Sequence, residues 1–182
     1  MRLLVVIMGV LLMGVSSCSS EPRDLALFHQ VIADYVQIIA KNELLFAYGT
    51  GGSMCGGPQK DLIREFSVAF RSKKLVDLTE ARAITIRCVE QLRSIVNANG
   101  EIRPFLEHYP YPPAGADLTL VFLPFDESDP HSEKAYIRAV YVMHGKIYYK
   151  QYNGEKKNDI LALLETYEEA LQRNTECSKM GL

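Results

Sequence analysis

The chain has 182 residues, of which 48% are hydrophobic and 23% are charged, and its formal net charge is −2 at pH 7. Its 20 Lys and Arg residues are balanced by 22 Asp and Glu residues, and no basic stripe is present. This composition argues against nucleic acid as a partner. The length is typical of a single domain, and the sequence contains no internal repeats.

The N-terminus has the pattern of an export signal. Arg2 precedes an unbroken apolar stretch of thirteen residues, Leu3 to Val15, as in the apolar region of a signal peptide. A helix of that length would cover only about 20 Å, whereas the hydrocarbon core of a bilayer is about 30 Å thick. The stretch is therefore predicted to direct export. The alternatives are an N-terminal membrane span and an ordinary signal peptide in which Cys18 has no role.

The end of this segment, Val15-Ser16-Ser17-Cys18, resembles the lipobox of bacterial lipoproteins. The resemblance implies a signal peptide at residues 1–17, cleavage before Cys18, and a diacylglyceryl group on the Cys18 thiol. Residues 18–23 would then be a lipidated tether, and the lipid bilayer would be a partner of the protein through acylated Cys18. Ser19 after the cysteine implies the outer membrane, where the sorting rule of enteric lipoproteins applies.

Three helices are predicted after the tether. Apolar residues of the first, Asp24 to Phe46, recur at steps of three and four. Pro58 suits the first turn of a second helix, whose apolar stripe runs from Leu62 to Phe70. A cap near Asp77 begins a third helix that ends at about Val96.

A glycine-rich segment, Tyr48–Pro58, separates the first two predicted helices and holds five glycines between Gly49 and Gly57. It is predicted to be a loop, because glycine runs neither pack a helix nor hold a strand. Backbone amides near the start of a helix would favour an anion and would lower the pKa of Cys55. Cys55 is thus a candidate nucleophile, although no nucleophile elbow or phosphate-loop motif accompanies it. A flexible connector is the simpler interpretation.

The second half of the chain changes to the pattern of strands. Three strands are predicted to form an antiparallel meander: Asp117–Phe125, Lys134–Met143 and Lys146–Tyr152. A hairpin loop at Asp126–Glu133 joins the first two, and the two-residue turn His144-Gly145 joins the last two.

A last helix is predicted from about Asp159 to Arg173, because its apolar residues again recur at helical spacing. The fold class is therefore predicted as α+β, with three N-terminal helices, a three-stranded antiparallel meander and a C-terminal helix. These elements would form one domain, residues 24–173, followed by a C-terminal tail, residues 174–182.

The His144-Gly145 turn determines which side chains of the second hairpin share a face. Val142 with Ile147 and Val140 with Tyr149 are predicted to face the core. The same register also predicts Arg138 with Gln151 on the core side and four pairs on the other face: Ile137 with Tyr152, Ala139 with Lys150, Tyr141 with Tyr148, and Met143 with Lys146. The face away from the core mixes tyrosines with lysines, which suits either ordinary cross-strand pairing at a wet surface or contact with a partner. Its candidate binding residues are Tyr141, Tyr148, Lys150 and Tyr152.

The cysteines and histidines give little sign of further chemistry. Cys88 lies on the apolar stripe of the third predicted helix and is predicted to be a buried core thiol. A disulfide between Cys55 and Cys177 is left open, because spacing alone does not determine connectivity. The four histidines are scattered and no C-x-x-C occurs, so neither a metal site nor a cofactor is expected.

These patterns together favour an exported, lipid-anchored protein of the bacterial cell envelope. Because catalytic signatures are missing, we expect a non-enzymatic module that binds another envelope protein or contributes to assembly. The alternative is an envelope hydrolase or transferase that uses Cys55. A third hypothesis, a small-ligand carrier, would need an apolar cavity that no sequence pattern indicates.

Overall fold

A computed structural model describes residues 23–56, 61–123, 136–153 and 158–179 of the chain. Three predictions fall outside these residues: the signal peptide at residues 1–17, the lipidated Cys18, and the hairpin loop at Asp126–Glu133.

Three helices and six strands lie within the described residues. The helices are α1 (Arg23–Glu43), α2 (Leu78–Ala98) and α3 (Tyr167–Lys179). The strands are β1 (Phe46–Gly56), β2 (Asp61–Ser72), β3 (Ala116–Phe122), β4 (Ile137–Met143), β5 (Lys146–Asn153) and β6 (Asn158–Thr166). Two short 3₁₀ turns, Arg103–Phe105 and Pro113–Gly115, lie between α2 and β3.

The strands form one mixed sheet of six strands in chain order, from β1 to β6. Neighbouring strands are antiparallel except β2 and β3, which are parallel. Parallel neighbours need a long crossover connection, and α2 with the two 3₁₀ turns provides it. The predicted fold class, α+β with three N-terminal helices, a three-stranded meander and a C-terminal helix, is therefore wrong. The chain has three helices and a six-stranded mixed sheet.

The second predicted helix is strand β2. Phe66, Val68 and Phe70 are buried, while the residues between them are only half-buried. The apolar side chains thus alternate with the period of two that a strand requires. Steps of three and four from Leu62 to Phe70 also fit a helix, and this double fit explains the wrong prediction.

The predicted glycine-rich loop is strand β1, which pairs with β2 from Phe46 to Gly56. One glycine has a packing role, because an added Cβ at Gly52 would lie 2.4 Å from Cζ of Phe28 and 2.5 Å from the carbonyl oxygen of Glu65. Gly52 therefore lets α1 lie directly against the sheet, an approach that a side chain would prevent.

The prediction of a last helix from about Asp159 to Arg173 is correct only for its second half. Its first part is strand β6, which pairs with β5, and only Tyr167 onward is helical, in α3. Leu163 and Glu165 point toward the helices, whereas Leu161 and Leu164 are exposed on the other face. Pairing with β5 therefore overrides a helical spacing of apolar residues, because the backbone groups of β6 that face β5 gain partners on the sheet.

Other predictions from local sequence are confirmed. The third predicted helix is α2, and the carboxylate of its N-cap Asp77 accepts a hydrogen bond of 2.8 Å from the backbone N–H of Glu80. His144 and Gly145 form the predicted turn with φ angles of 51° and 73°, as a tight hairpin requires.

The register of the second hairpin is confirmed near its turn and wrong at its far end. Val142 with Ile147, Val140 with Tyr149, Ala139 with Lys150, and Tyr141 with Tyr148 pair as predicted. A register shift beyond Ala139 then pairs Ile137 with Gln151, so the predicted pairs Arg138–Gln151 and Ile137–Tyr152 are wrong. A bulge of this kind adds one residue to one strand and is invisible to a fixed register.

All three helices pack on one face of the sheet. The ring of Phe28 in α1 stacks on Phe66 of β2 with centroids 4.8 Å apart. The Tyr35 hydroxyl donates a hydrogen bond of 3.1 Å to the backbone carbonyl of Cys88 in α2. Cys88 is fully buried, as predicted, and burial raises the pKa of its thiol to about 12.

Helix α3 is held in place by a network of charged side chains. Glu165 of β6 is almost fully buried and accepts hydrogen bonds from Arg82 of α2 at 2.7 Å and from Arg173 of α3 at 2.9 Å. One carboxylate thus joins two helices and the sheet. Cys177, near the end of α3, is a free thiol. The side chain of Cys55, its partner in the disulfide that spacing left open, lies outside the described side chains.

Within residues 23–56, 61–123, 136–153 and 158–179, the helices are too short or too polar to cross a bilayer.

Candidate binding surface

The face of the sheet opposite the helices is left uncovered by the described residues, and we call it the open face. Side chains on the helix face of β3 to β5, such as Leu120, Val140 and Tyr149, are completely buried. On the open face, Leu161 and Leu164 of β6 remain 49% and 46% exposed. The sheet therefore has one dry face and one face that meets solvent.

A continuous row of side chains crosses the open face from β3 to β6. Thr119 pairs with Tyr141, Tyr141 with Tyr148, and Tyr148 with Leu164. A second row, Val121, Ala139, Lys150 and Leu161, runs beside it. Directly opposed side chains in antiparallel strands lie about 5 Å apart at Cβ, so each row forms a connected surface.

Three of the four predicted binding residues are brought together on these rows. Tyr141, Tyr148 and Lys150 occupy neighbouring positions of β4 and β5, and each is partly buried. Tyr152 lies at the far end of β5, beneath the guanidinium of Arg138, whose Cζ is 5.0 Å from the centroid of the Tyr152 ring. Arg138 also forms an ion pair with Asp159 at 3.3 Å, which sets Tyr152 apart from the other three.

The opposite end of the open face carries carboxylates and hydroxyl groups that sequence analysis missed. The Ser53 hydroxyl donates to Oε2 of Glu65 at 2.8 Å, and Nε2 of His144 lies 3.3 Å from Oε1 of the same carboxylate. The Ser67 hydroxyl donates to Oδ2 of Asp117 at 3.1 Å. These pairs are visible in the sequence only once β1 and β2 are known to be strands.

Ser53, Glu65 and His144 do not form a catalytic triad. In a triad the imidazole lies between the serine and the acid, so that it can take the hydroxyl proton. Here the Glu65 carboxylate lies between the other two groups, and the serine donates to the acid. The arrangement can accept hydrogen bonds from a ligand, but it gives Ser53 no base that would activate it as a nucleophile.

Cys55 loses the surroundings that made it a candidate nucleophile. Its backbone is in strand β1 and pairs with Leu62 of β2. From Asp61 to Ser72 the chain is strand β2, so the predicted helix, whose N-terminus was expected to lower the pKa of the Cys55 thiol, is not formed over these residues. No observation on the described residues favours the hydrolase or transferase alternative.

A metal centre also finds no support in the described part of the chain, where no group of three or more His, Cys, Asp or Glu side chains could hold an ion. Helix α3 bears a shallow surface depression lined by Glu168, Leu171, Gln172, Thr175 and Glu176. These five residues belong to one helix, so the depression offers a ligand no converging groups.

No family model, curated protein or solved structure matches the chain. Its function is therefore inferred from the chemistry of its own surfaces, among which the open face brings half-buried Tyr141, Tyr148 and Lys150 together with exposed Leu161 and Leu164.

Proposed function

We propose that this chain is a lipid-anchored protein of the bacterial cell envelope that binds another envelope protein through its open face. The export signal and the lipobox-like sequence ending at Cys18 support the anchor. The row Tyr141, Tyr148 and Leu164 supports the binding role. It is the observation on which the proposal depends.

The composition of the row is that of an interface centre. When one face of a sheet is in contact with water, the side chains on that face are normally polar. Here two tyrosines and a leucine lie next to one another on that face, across three strands. Tyrosine is enriched where proteins bind one another, because its ring contributes apolar area and its hydroxyl still bonds to water or a partner.

The charges around the row indicate the chemistry of the partner. Lys146 and Lys150 flank Tyr148 on β5, and their side chains share the open face. Lysine is depleted at the centre of interfaces and is tolerated at their rim. The partner is therefore expected to carry acidic side chains around an apolar patch, which would speed association at low salt.

The binding role is tested by affinity capture from solubilised membranes of the native host. The double variant Tyr141→Ala/Tyr148→Ala should weaken recovery of the partner by at least about tenfold, because truncation of a central aromatic residue typically costs more than ~2 kcal/mol. Tyr109→Ala is the matched control, since Tyr109 is an exposed tyrosine on the connection between α2 and β3. Equal recovery with a folded double variant would contradict the proposal.

The anchor is tested separately. Mass spectrometry of the mature protein from its native host should find an acylated cysteine, Cys18, at the N-terminus, and Cys18→Ser should leave the membrane fraction. A mature N-terminus at another residue would contradict lipidation.

A further inference from the structure

Strand β1 lies at an edge of the sheet. It pairs with β2 on one side, and no other strand that the structure describes lies on its outer side. An edge strand presents a row of backbone N–H and C=O groups with which a further strand can pair. Thr50 and Gly52 of β1 are exposed, so helix α1 leaves this edge accessible.

Strand β1 lacks the residues that normally protect an edge. Its 11 residues include no charged side chain and no proline, although both are common means of preventing edge-to-edge association. The opposite edge, β6, is interrupted by a register shift that skips Ala162, and such a bulge bends a strand away from regular pairing. Strand β1 is therefore the edge better suited to accept another strand.

The middle of β1 is regular and has small side chains. Its register shifts lie at Tyr48 and beyond Ser53, and the five residues Gly49–Ser53 pair with consecutive residues of β2. Three of these five are glycines, which let another backbone approach closely. At Gly51 no atom lies within 4 Å of an added Cβ, so the space beside the strand is open.

Two exposed apolar side chains flank this segment symmetrically. Tyr48 precedes Gly51 by three residues and Met54 follows it by three, and they are 56% and 36% exposed. Antiparallel pairing of β1 with an identical strand about Gly51 brings Tyr48 of each copy beside Met54 of the other. Contacts between a methionine sulfur and an aromatic ring are favourable, and a two-fold axis makes each contact twice.

These features favour a second copy of the chain over an unrelated peptide. A peptide that adds a strand to a sheet edge is selected through pockets for its alternate side chains, and the glycines of Gly49–Ser53 provide few such pockets. An identical strand needs none, because its small residues meet small residues. Since β1 carries no charge, the pairing also opposes no like charges along the two strands.

We propose that β1 is a dimerisation strand that pairs antiparallel with β1 of a second copy, across a two-fold axis at Gly51. The two six-stranded sheets then form one continuous sheet. Because the axis is perpendicular to the sheet, both sets of helices lie on one side and both open faces on the other. A partner would meet two copies of the open face, which raises its apparent affinity without new contacts.

A charge swap at the axis tests this pairing. Gly51→Lys places two ammonium groups opposite each other, and Gly51→Glu does the same with two carboxylates. Each variant should raise the Kd of the dimer at least about tenfold, because opposed like charges repel. An equimolar mixture of the two variants should recover the dimer, since a lysine then faces a glutamate. Light scattering of the mature protein in detergent measures the mass of the polypeptide.

Gly100→Lys is the matched control, because no atom lies within 4 Å of an added Cβ at Gly100 either. Gly100 follows α2, and this variant should change the Kd of the dimer less than about twofold, as surface substitutions away from contacts do. Tyr141→Ala/Tyr148→Ala should also leave the dimer intact. Dimerisation and binding through the open face are therefore tested separately, and each can fail without the other.

Hydrogen exchange of the wild-type protein needs no substitution, so it decides the question if the variants at position 51 do not fold. Amides of β1 that point away from β2 should be protected at high protein concentration and should lose that protection on dilution. Three results would overturn the inference: the mass of a single chain at every concentration, a Lys and Glu mixture that stays monomeric, or association that is unchanged by both variants at position 51.

Discussion

Arg82 and Glu165 are 83 positions apart in sequence and form a buried two-point ion pair, with Nε of Arg82 2.7 Å from Oε1 of Glu165. Arg173 binds the other carboxylate oxygen at 2.9 Å. The pair joins the crossover helix α2 to the last strand of the sheet, so it fixes elements from the two halves of the chain relative to each other.

Removing the acid alone should be costly. Glu165→Ala leaves the buried guanidinium of Arg82 without its carboxylate, and loss of one partner of a buried pair typically costs about 3–5 kcal/mol. The double variant Arg82→Met/Glu165→Leu should be less destabilised than Glu165→Ala. Urea unfolding of both variants measures the difference, and a double variant that is the weaker of the two would contradict the explanation.

Two buried tyrosines differ in whether the hydroxyl group is hydrogen-bonded, so the same substitution at each should have a different effect on stability. The Tyr149 hydroxyl has no hydrogen-bond partner among the described residues, so Tyr149→Phe should be neutral or stabilising. Tyr35→Phe should cost about 1 kcal/mol, because it removes the hydrogen bond to the carbonyl of Cys88. Thermal unfolding of the two variants should rank Tyr149→Phe above Tyr35→Phe, and the reverse order is the result that would count against this account.

Adjacent glycines of β1 should respond differently to the same substitution. Gly52→Ala places a methyl group against the Phe28 ring and the Glu65 carbonyl, where overpacking costs about 1–3 kcal/mol. At Gly51 nothing lies within 4 Å of an added Cβ, so Gly51→Ala should change the free energy of unfolding by less than about 0.5 kcal/mol. Equal effects at the two positions would show that α1 does not pack on Gly52.

The cysteines should differ in reactivity. Burial raises the pKa of Cys88 to about 12, so its thiol stays protonated and shielded until the protein unfolds. Cys177 is free and partly exposed, and it should react with an alkylating reagent at pH 8 in the native state. Labelling followed by mass spectrometry, before and after addition of urea, separates the two. Labelling of Cys88 in the folded protein would show that α1 and α2 open readily.

The same burial predicts a loss of stability at high pH. An unfolded cysteine ionises near pH 9, whereas folded Cys88 keeps its proton to about pH 12, so the unfolded state releases its proton first. The contribution of Cys88 to the free energy of unfolding is therefore largest below about pH 9 and decreases as the pH rises above that value. Buried Tyr35 acts in the same direction, because burial raises the pKa of its phenol well above the usual value.

Local signals in the sequence predicted the elements that depend on local contacts. The cap at Asp77 and the regular apolar spacing defined α2, and the turn at His144-Gly145 defined the second hairpin. Strands β1, β2 and β6 were missed because their backbone partners lie on other strands. Glycines in β1 and helical spacing in β2 and β6 both favoured other structures until those partners were known.

The same division applies to the candidate surface. Tyr141 and Tyr148 could be placed together because a two-residue turn lies between their strands. Leu164 joined them only through the pairing of β5 with β6. The pairs Ser53–Glu65 and Ser67–Asp117 required β2 to be a strand between β1 and β3, which a helical assignment of Leu62–Phe70 excluded.

Site-specific photocrosslinking in native membranes tests the central claim most directly. A photoreactive phenylalanine analogue at position 148 lies on the open face, and the same analogue at position 172 lies on an exposed part of α3. We expect one discrete adduct with an envelope protein from position 148 and none from position 172. An absence of adducts at position 148, or the same adducts at both positions, would contradict binding through the open face.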